Sequence, residues 1–221
     1  MSRIPTQSAQ GHDDFQIEPV KGLPELPPVG ERILWQGRPN WWALANEALN
    51  LKWVVGYFVV LALWRFVSVI DLMPMGRAIG ASVPFLILGA IVAGLLMLVA
   101  YVQASATMYT VTDARVAMRI GAALTVTLNL PYTQIANAML DLRRSGTGTI
   151  ALDTMGETRL SFLVCWPHAR PWQFRQTQPA LRCIDDAERV ARLLSGAAEQ
   201  RVAIPKVTRT APATARTVAA E

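Results

Sequence analysis

Two long apolar stretches dominate the hydropathy pattern of the chain. The first, Trp53 to Met73, carries Arg65 as its one charge before Asp71, and the second, residues 78–112, has no charged residue. A helix needs about 20 apolar residues to span a bilayer, so both stretches are long enough. The intervening Met-Pro-Met-Gly breaks the helix. The pattern therefore predicts a transmembrane helical hairpin over residues 51–102.

After the hairpin, the hydrophobic period changes from helical to alternating. MYTVT, RVAMRI and LTVTLNL are followed by QIANAMLDL, TGTIALD and TRLSFLV, with turn residues between them. These segments predict about six or seven short antiparallel strands. CIDDAERVARLLSGA then predicts a helix with Asp185 at its N-cap and an apolar stripe of Ile184, Ala187, Val190, Ala191 and Leu194. The predicted fold class is a membrane α-helical hairpin plus an α+β domain, a small antiparallel β-barrel or sandwich closed by a C-terminal helix.

The remaining segments complete the predicted domain organisation. Residues 1–28 are polar and contain several prolines, and residues 201–221 are rich in Ala, Thr and Pro, so both are predicted to be disordered tails. Residues 29–50 form a tryptophan-rich juxtamembrane segment, and residues 103–200 form the strand-rich domain. The N-terminus lacks the apolar run of a cleavable signal peptide.

Composition agrees with a protein that is part membrane and part aqueous domain. The chain is 52% hydrophobic and 17% charged, with a net charge of +5. A basic protein suits anionic lipid headgroups or an acidic partner, and no Lys/Arg run or nucleic-acid motif predicts nucleic-acid binding. Arg38, Lys52, Arg115 and Arg119 lie near the outer ends of the hairpin, whereas its loop offers mainly Arg77. The positive-inside rule then predicts an inner-membrane protein with both termini in the cytoplasm.

The stretch CWPHARPW, Cys165 to Trp172, concentrates the residues that could carry chemistry. The chain has two histidines, His12 and His168, and no CxxC or HxxxH spacing, so no metal site, cofactor or enzymatic activity is expected. A Cys165–His168 dyad lacks an orienting third group. Cys165 and Cys183 are predicted to be reduced.

The favoured interpretation of this stretch is a stiff interaction surface, formed by Trp166, His168, Arg170 and Trp172. Trp and Arg dominate interface hot spots, and the prolines limit the entropy lost on binding. The alternative is that the two tryptophans only pack over the open end of the barrel.

Three further features are candidate contacts. Trp35, Arg38, Trp41 and Trp42 precede the hairpin and suit a headgroup anchor or partner recognition. Arg65 lies inside the first apolar helix, where it could snorkel to headgroups or pair with a neighbouring membrane protein. The adjacent Arg143 and Arg144 suit a phosphate or lipid contact or, alternatively, a solvated turn.

The order of hairpin, strands and closing helix resembles the bacterial pleckstrin-homology-like domain that occurs beside membrane helices. In that family a Tyr-Thr-x-Thr-(Asp/Asn)-x-Arg strand opens the domain, here Tyr109 to Arg115. The upstream GERILWQGRPNW resembles the short element that precedes the helices in these proteins. A general membrane module that senses lipid or envelope state is the function this resemblance implies.

A narrower resemblance runs from about Gly22 to Gly196. GLPELPPVGERILWQGRPNW, VTLNLPYTQIANAML and WPHARPWQFRQTQPALRCIDDAERVARLL are similar to the photosynthetic complex assembly proteins of purple phototrophic bacteria. Those proteins are encoded with the reaction-centre H subunit and are needed for assembly of the reaction centre and light-harvesting 1. This resemblance implies a non-enzymatic assembly factor whose partners are reaction-centre and light-harvesting 1 subunits or their assembly intermediates, together with membrane lipids. A homo-oligomer stays open. Because the implied partners carry bacteriochlorophyll, His168 could also coordinate pigment magnesium, although such ligands usually lie within transmembrane helices.

Overall fold

The computed structural model describes residues 22–23, 25–122, 125–143, 146–155 and 160–203. Strand β1 (Ile33–Gly37) and helix α1 (Trp41–Glu47) precede two long helices, α2 (Leu51–Val69) and α3 (Met75–Ala106). The other elements follow in the order β2 (Met108–Thr112), β3 (Arg115–Ile120), β4 (Val126–Pro131), β5 (Ile135–Leu142), β6 (Gly148–Thr154), α4 (Phe162–Cys165), β7 (Ala180–Ile184) and α5 (Ala187–Ala203). The predicted disordered tails lie mostly outside the described residues and stay predictions.

Helices α2 and α3 form an antiparallel pair at the predicted place. By length and composition both could cross a membrane, and only 11% of the most apolar window of each helix is buried. The helices approach closely at Gly89, where a Cβ atom would lie 2.7 Å from the Cβ of Phe58. Helix α3 extends to Ala106, four residues beyond the predicted end of the hairpin. The helix pair is confirmed, while its insertion in a membrane stays a prediction.

The strands form two antiparallel sheets. One has the order β1-β2-β3-β4 and the other the order β5-β6-β7. Strand β1 comes from the segment before the helix pair and joins β2, which follows it, with Gly37 opposite Tyr109. The helix pair is therefore an insertion between two neighbouring strands, and the segment 29–50 contributes a strand to the domain.

The two sheets and helix α5 enclose one hydrophobic core. It includes Val111 and Met118 from the first sheet, Leu152 and Leu181 from the second, and Leu194 from α5. Within the described part of the chain, no strand pairing joins the two sheets. A closed barrel is not found there, because β4 and β5 are separated by a short 3₁₀ turn at Tyr132–Gln134 and do not pair. The two antiparallel sheets agree with the sandwich alternative of the prediction.

Two local predictions also need correction. The segment predicted as the strand TRLSFLV contains the helical turn Phe162–Cys165 instead. The sequence predicts Asp185 as the N-cap of the final helix, but α5 begins only at Ala187, after Asp186 adopts a positive φ of 54°. Of the predicted apolar stripe, Ala187, Val190 and Leu194 lie in the core as part of α5, whereas Ile184 reaches the core from β7.

Candidate functional site: a buried histidine beneath an exposed aromatic patch

The structure corrects the predicted position of His168, which is fully buried. Its Nδ1 lies 2.6 Å from the Tyr109 hydroxyl, and its Nε2 lies 2.9 Å from Thr107 Oγ1. Tyr109 belongs to β2, and Thr107 is the C-cap residue that follows α3. His168 therefore joins its own loop to the end of the long helix and cannot belong to an exposed interaction surface.

The neighbouring bonds define the direction of this network. Thr107 Oγ1 donates to the carbonyl of Gln103 at 2.8 Å, so it accepts from the Nε2–H of His168. Tyr109 Oη accepts from the backbone N–H of Arg182 at 3.3 Å and donates to Nδ1. The imidazole is thus held as the neutral Nε2–H tautomer with both nitrogens occupied.

Electrostatics reinforce the neutral form of this histidine. Burial, and secondarily the nearby charge of Arg182, lower the pKa of His168 to about 3. Burial also raises the pKa of Tyr109 above its usual range, so the phenol keeps its proton. Because both ring nitrogens are already bonded, the earlier candidate roles of His168 as a pigment ligand or a base are not supported by this geometry.

The two cysteines lie in the core as free thiols. Burial raises the pKa of Cys165, which keeps that sulfur protonated, and the imidazole nitrogens are bonded to hydroxyl groups instead. Burial and the carboxylate of Glu47 raise the pKa of Cys183 to about 12. No group of three His, Cys, Asp or Glu that could hold a metal occurs within the described ranges.

Around the buried histidine, the same stretch presents an exposed surface, called here the aromatic patch. It consists of apolar side chains from α4 and the following loop, namely Leu163, Val164, Trp166, Trp172 and Phe174. Trp172 is 84% exposed and its ring lies edge-on to Phe174, with 6.3 Å between centroids. Phe174 in turn contacts Phe162 at 4.7 Å, which fixes the loop against α4. Contiguous exposed apolar groups of this kind mark interaction sites.

The sequence prediction found only part of this surface. Trp166 and Trp172 belong to it, whereas Arg170 is half-buried and donates to Gln178 Oε1 at 3.1 Å and to the sulfur of Met139 at 3.2 Å. Leu163 and Val164 were missed because they were assigned to a strand. Their place on a helical turn leaves both exposed.

The second predicted surface is only partly assembled. Trp41 and Trp42 are exposed in the first turn of α1, and Trp41 lies edge-on to Tyr101 of α3 at 6.4 Å. Asn40 fixes this turn, since its side chain accepts from the N–H groups of residues 42 and 43 at 3.1 Å each. Trp35 instead packs against the domain core. Arg38 is exposed, but no aromatic contact joins it to these rings in the described structure.

The remaining predicted contacts are basic. Arg65 is exposed on α2 and has no ion pair among the residues described, so both of its interpretations stay open. Arg143 lies 3.4 Å from carboxylate oxygens of both Glu47 and Asp141. Arg144 lies outside the described residues.

Comparison with known proteins identifies the family. Residues 50–198 match the model of the bacterial PH domain. The chain belongs to the bacterial PH domain family. It is 47% identical over 198 residues to an uncharacterized 23.7 kDa protein in the puhA 5′ region of Rhodobacter capsulatus, covering 88% of this chain and 92% of that protein.

A solved structure is also similar to this bacterial PH domain protein. It is a DUF1696 family protein with a pleckstrin-homology domain from Shewanella loihica. The match has 11% identity and a TM-score of 0.28, and it covers 42% of this chain and 71% of the other. A likeness this distant supports no conclusion about function.

Proposed function

We propose that this bacterial PH domain protein is a non-enzymatic membrane factor that assists assembly of the photosynthetic reaction centre and its light-harvesting 1 antenna. The observation that carries the proposal is the relative of 47% identity, which is named for the puhA 5′ region of Rhodobacter capsulatus. The sequence resemblance to assembly proteins encoded with the reaction-centre H subunit supports the same role.

The outward apolar surface of α2 and α3 supports a place in the inner membrane. A soluble core helix would bury most of its apolar side chains, whereas Trp64, Leu88 and Leu95 are all at least half exposed. The 32 residues of α3 extend for about 48 Å, against about 30 Å for the hydrocarbon core. Because β1 pairs with β2, the start of α2 and the end of α3 would lie on the same side of the proposed membrane. The distribution of Lys and Arg favours the cytoplasmic side.

The aromatic patch is the surface that we propose for partner binding. The contact of His168 with Thr107 brings the loop to the end of α3, so the patch lies close to the water–lipid boundary of the proposed arrangement. Nascent membrane subunits would present their cytoplasmic ends at this level. Exposed Trp and Phe side chains supply binding energy, and a loop already fixed by His168 loses little entropy on binding.

A deletion strain tests this proposal. Membranes of the strain should contain less assembled reaction centre and light-harvesting 1, measured by their absorption bands, while the subunit transcripts persist. Complementation with Trp172→Ala/Phe174→Ala should restore assembly poorly. The control Leu26→Ala removes an exposed apolar side chain outside both predicted surfaces and should restore it fully. Normal amounts of both complexes in the deletion strain would refute the assembly role.

A second candidate function is a general membrane module that senses lipid or envelope state. Membership of the bacterial PH domain family favours it, because the family match supports a general bacterial module of this kind. Headgroup-selective binding to liposomes, together with no co-purification of reaction-centre subunits, would favour this function over assembly.

A further inference from the structure

Arg182, in β7, holds a positive charge inside the domain without an opposing carboxylate. The residue is 6% exposed. Its Nη1 donates to the carbonyl of Pro167 at 3.2 Å and its Nη2 to the carbonyl of Glu47 at 3.3 Å, while Nε has no hydrogen-bond partner. In the described part of the chain, its guanidinium forms no ion pair. Burying a charge with so few hydrogen-bond partners costs desolvation free energy, so an anion bound beside Arg182 would stabilise the domain.

Arg182 lines a cavity of about 430 Å³ that also includes Arg143 and Arg170, and which we call the arginine cavity. Arg170 donates only to a neutral amide and a thioether sulfur. Arg143 pairs with Glu47 and Asp141 at 3.4 Å, but it is half exposed, so these pairs are weak. Three arginine residues therefore line one cavity, and two of them, Arg170 and Arg182, have no carboxylate partner among the residues described.

The other lining groups define what could occupy the cavity. Thr149 lies in the wall, and Met139 and Pro171 form an apolar side. Asp141 is the acidic lining residue, and the Glu47 carboxylate beside it brings the local total to three positive against two negative charges. Guanidinium groups bind phosphate oxygens with paired hydrogen bonds, and a cavity of this size admits a phosphate with part of a larger group.

We propose that the arginine cavity binds a phosphate mono- or diester group, held by Arg170 and Arg182. The carbonyl that accepts the hydrogen bond from Arg182 Nη2 belongs to Glu47, four residues before α2 begins. With α2 in a membrane, the cavity lies near the headgroup layer, where the phosphate of an anionic phospholipid is within reach. A soluble phosphate compound shares the same chemistry. This site is independent of the assembly role and does not include the aromatic patch.

The test uses the full-length protein purified in a phosphate-free maltoside detergent. Phosphatidylglycerol is titrated into the micelles in one arm and inorganic phosphate in the other, and binding is followed by native mass spectrometry and the thermal midpoint. Arg170→Gln should weaken binding about tenfold, since it removes a charged donor but keeps a polar side chain. Arg175→Gln, at an exposed position outside the cavity, is the matched control and should bind normally.

Each outcome decides the proposal. Binding of phosphatidylglycerol that Arg170→Gln weakens identifies a lipid headgroup as the ligand. Binding of inorganic phosphate alone, with the same dependence on Arg170, identifies a soluble phosphate source. Arg182→Lys keeps the buried charge but loses the planar set of guanidinium N–H donors, so it should weaken binding of the same ligand. Absence of binding in both arms, or equal binding by Arg170→Gln and Arg175→Gln, overturns the proposal without affecting the assembly role.

Discussion

Replacing His168 by Phe should remove a pH-dependent part of the stability of the domain. The neutral imidazole is bonded on both sides in the folded protein, with its pKa lowered to about 3, whereas in the unfolded chain it titrates near 6.5. Below pH 6.5 the unfolded chain therefore binds a proton that the folded protein does not, so stability falls as the pH falls. The loss ends only near pH 3, where folded His168 is also protonated.

The size of the effect follows from this difference. Each pH unit below 6.5 costs about 1.4 kcal/mol, so at pH 5 the wild type should be about 2 kcal/mol less stable than at pH 7.5 from this residue alone. His168→Phe fills much the same volume but cannot titrate. It also leaves the Tyr109 hydroxyl without its acceptor, which should lower stability at pH 7.5 by about 2–4 kcal/mol.

Urea unfolding of the detergent-solubilised protein, followed by tryptophan fluorescence at pH 5 and pH 7.5, measures both quantities. Carboxylates contribute the same pH dependence to wild type and variant, so the difference between the two proteins isolates His168. An equal loss of stability in both proteins between these pH values would refute the assignment of a neutral, buried imidazole.

Three other perturbations test the fold. Gly89→Val should clash with Phe58 and weaken packing of α2 on α3 by about 1–3 kcal/mol. The control Gly94→Val has no atom within 4 Å of its added Cβ and should not weaken this packing. The efficiency of cysteine cross-linking between α2 and α3 distinguishes the two variants. Asn40→Ala should cost about 1 kcal/mol through loss of the α1 cap, seen as a lower thermal midpoint. A fragment of residues 101–203 lacks β1 and therefore exposes the edge of β2. It should self-associate through this edge, as measured by light scattering, and a stable monomer would contradict the prediction.

The sequence predicted the elements whose signals are local. Twenty or more apolar residues identify α2 and α3 wherever they lie, and the 3.6-residue spacing of Val190 and Leu194 identifies the buried face of α5. Strands β2 to β6 alternate clearly enough to be recognised one by one, whereas β7 is missed and TRLSFLV is wrongly predicted as a strand. Their arrangement as two sheets is not local, because the Tyr132–Gln134 turn that separates β4 from β5 has no strong sequence signature.

The parts that the sequence missed depend on distant partners. Strand β1 is five residues long, and its partner β2 lies beyond both long helices. His168 looks like a surface residue between two exposed tryptophans, and its burial depends on Tyr109, 59 residues earlier, and Thr107, 61 residues earlier. The arginine cavity combines β5, β6, β7 and the loop before β7, so no single segment indicates it.

The insertion of α2 and α3 between β1 and β2 determines the order in which the protein can mature. During synthesis β1 emerges first, but it has no partner strand until residues 38–107 and then β2 have been made. A chain in which α2 and α3 fail to pair keeps the two strands apart and cannot complete the first sheet. Completion of this sheet would therefore indicate that the helix pair has formed correctly.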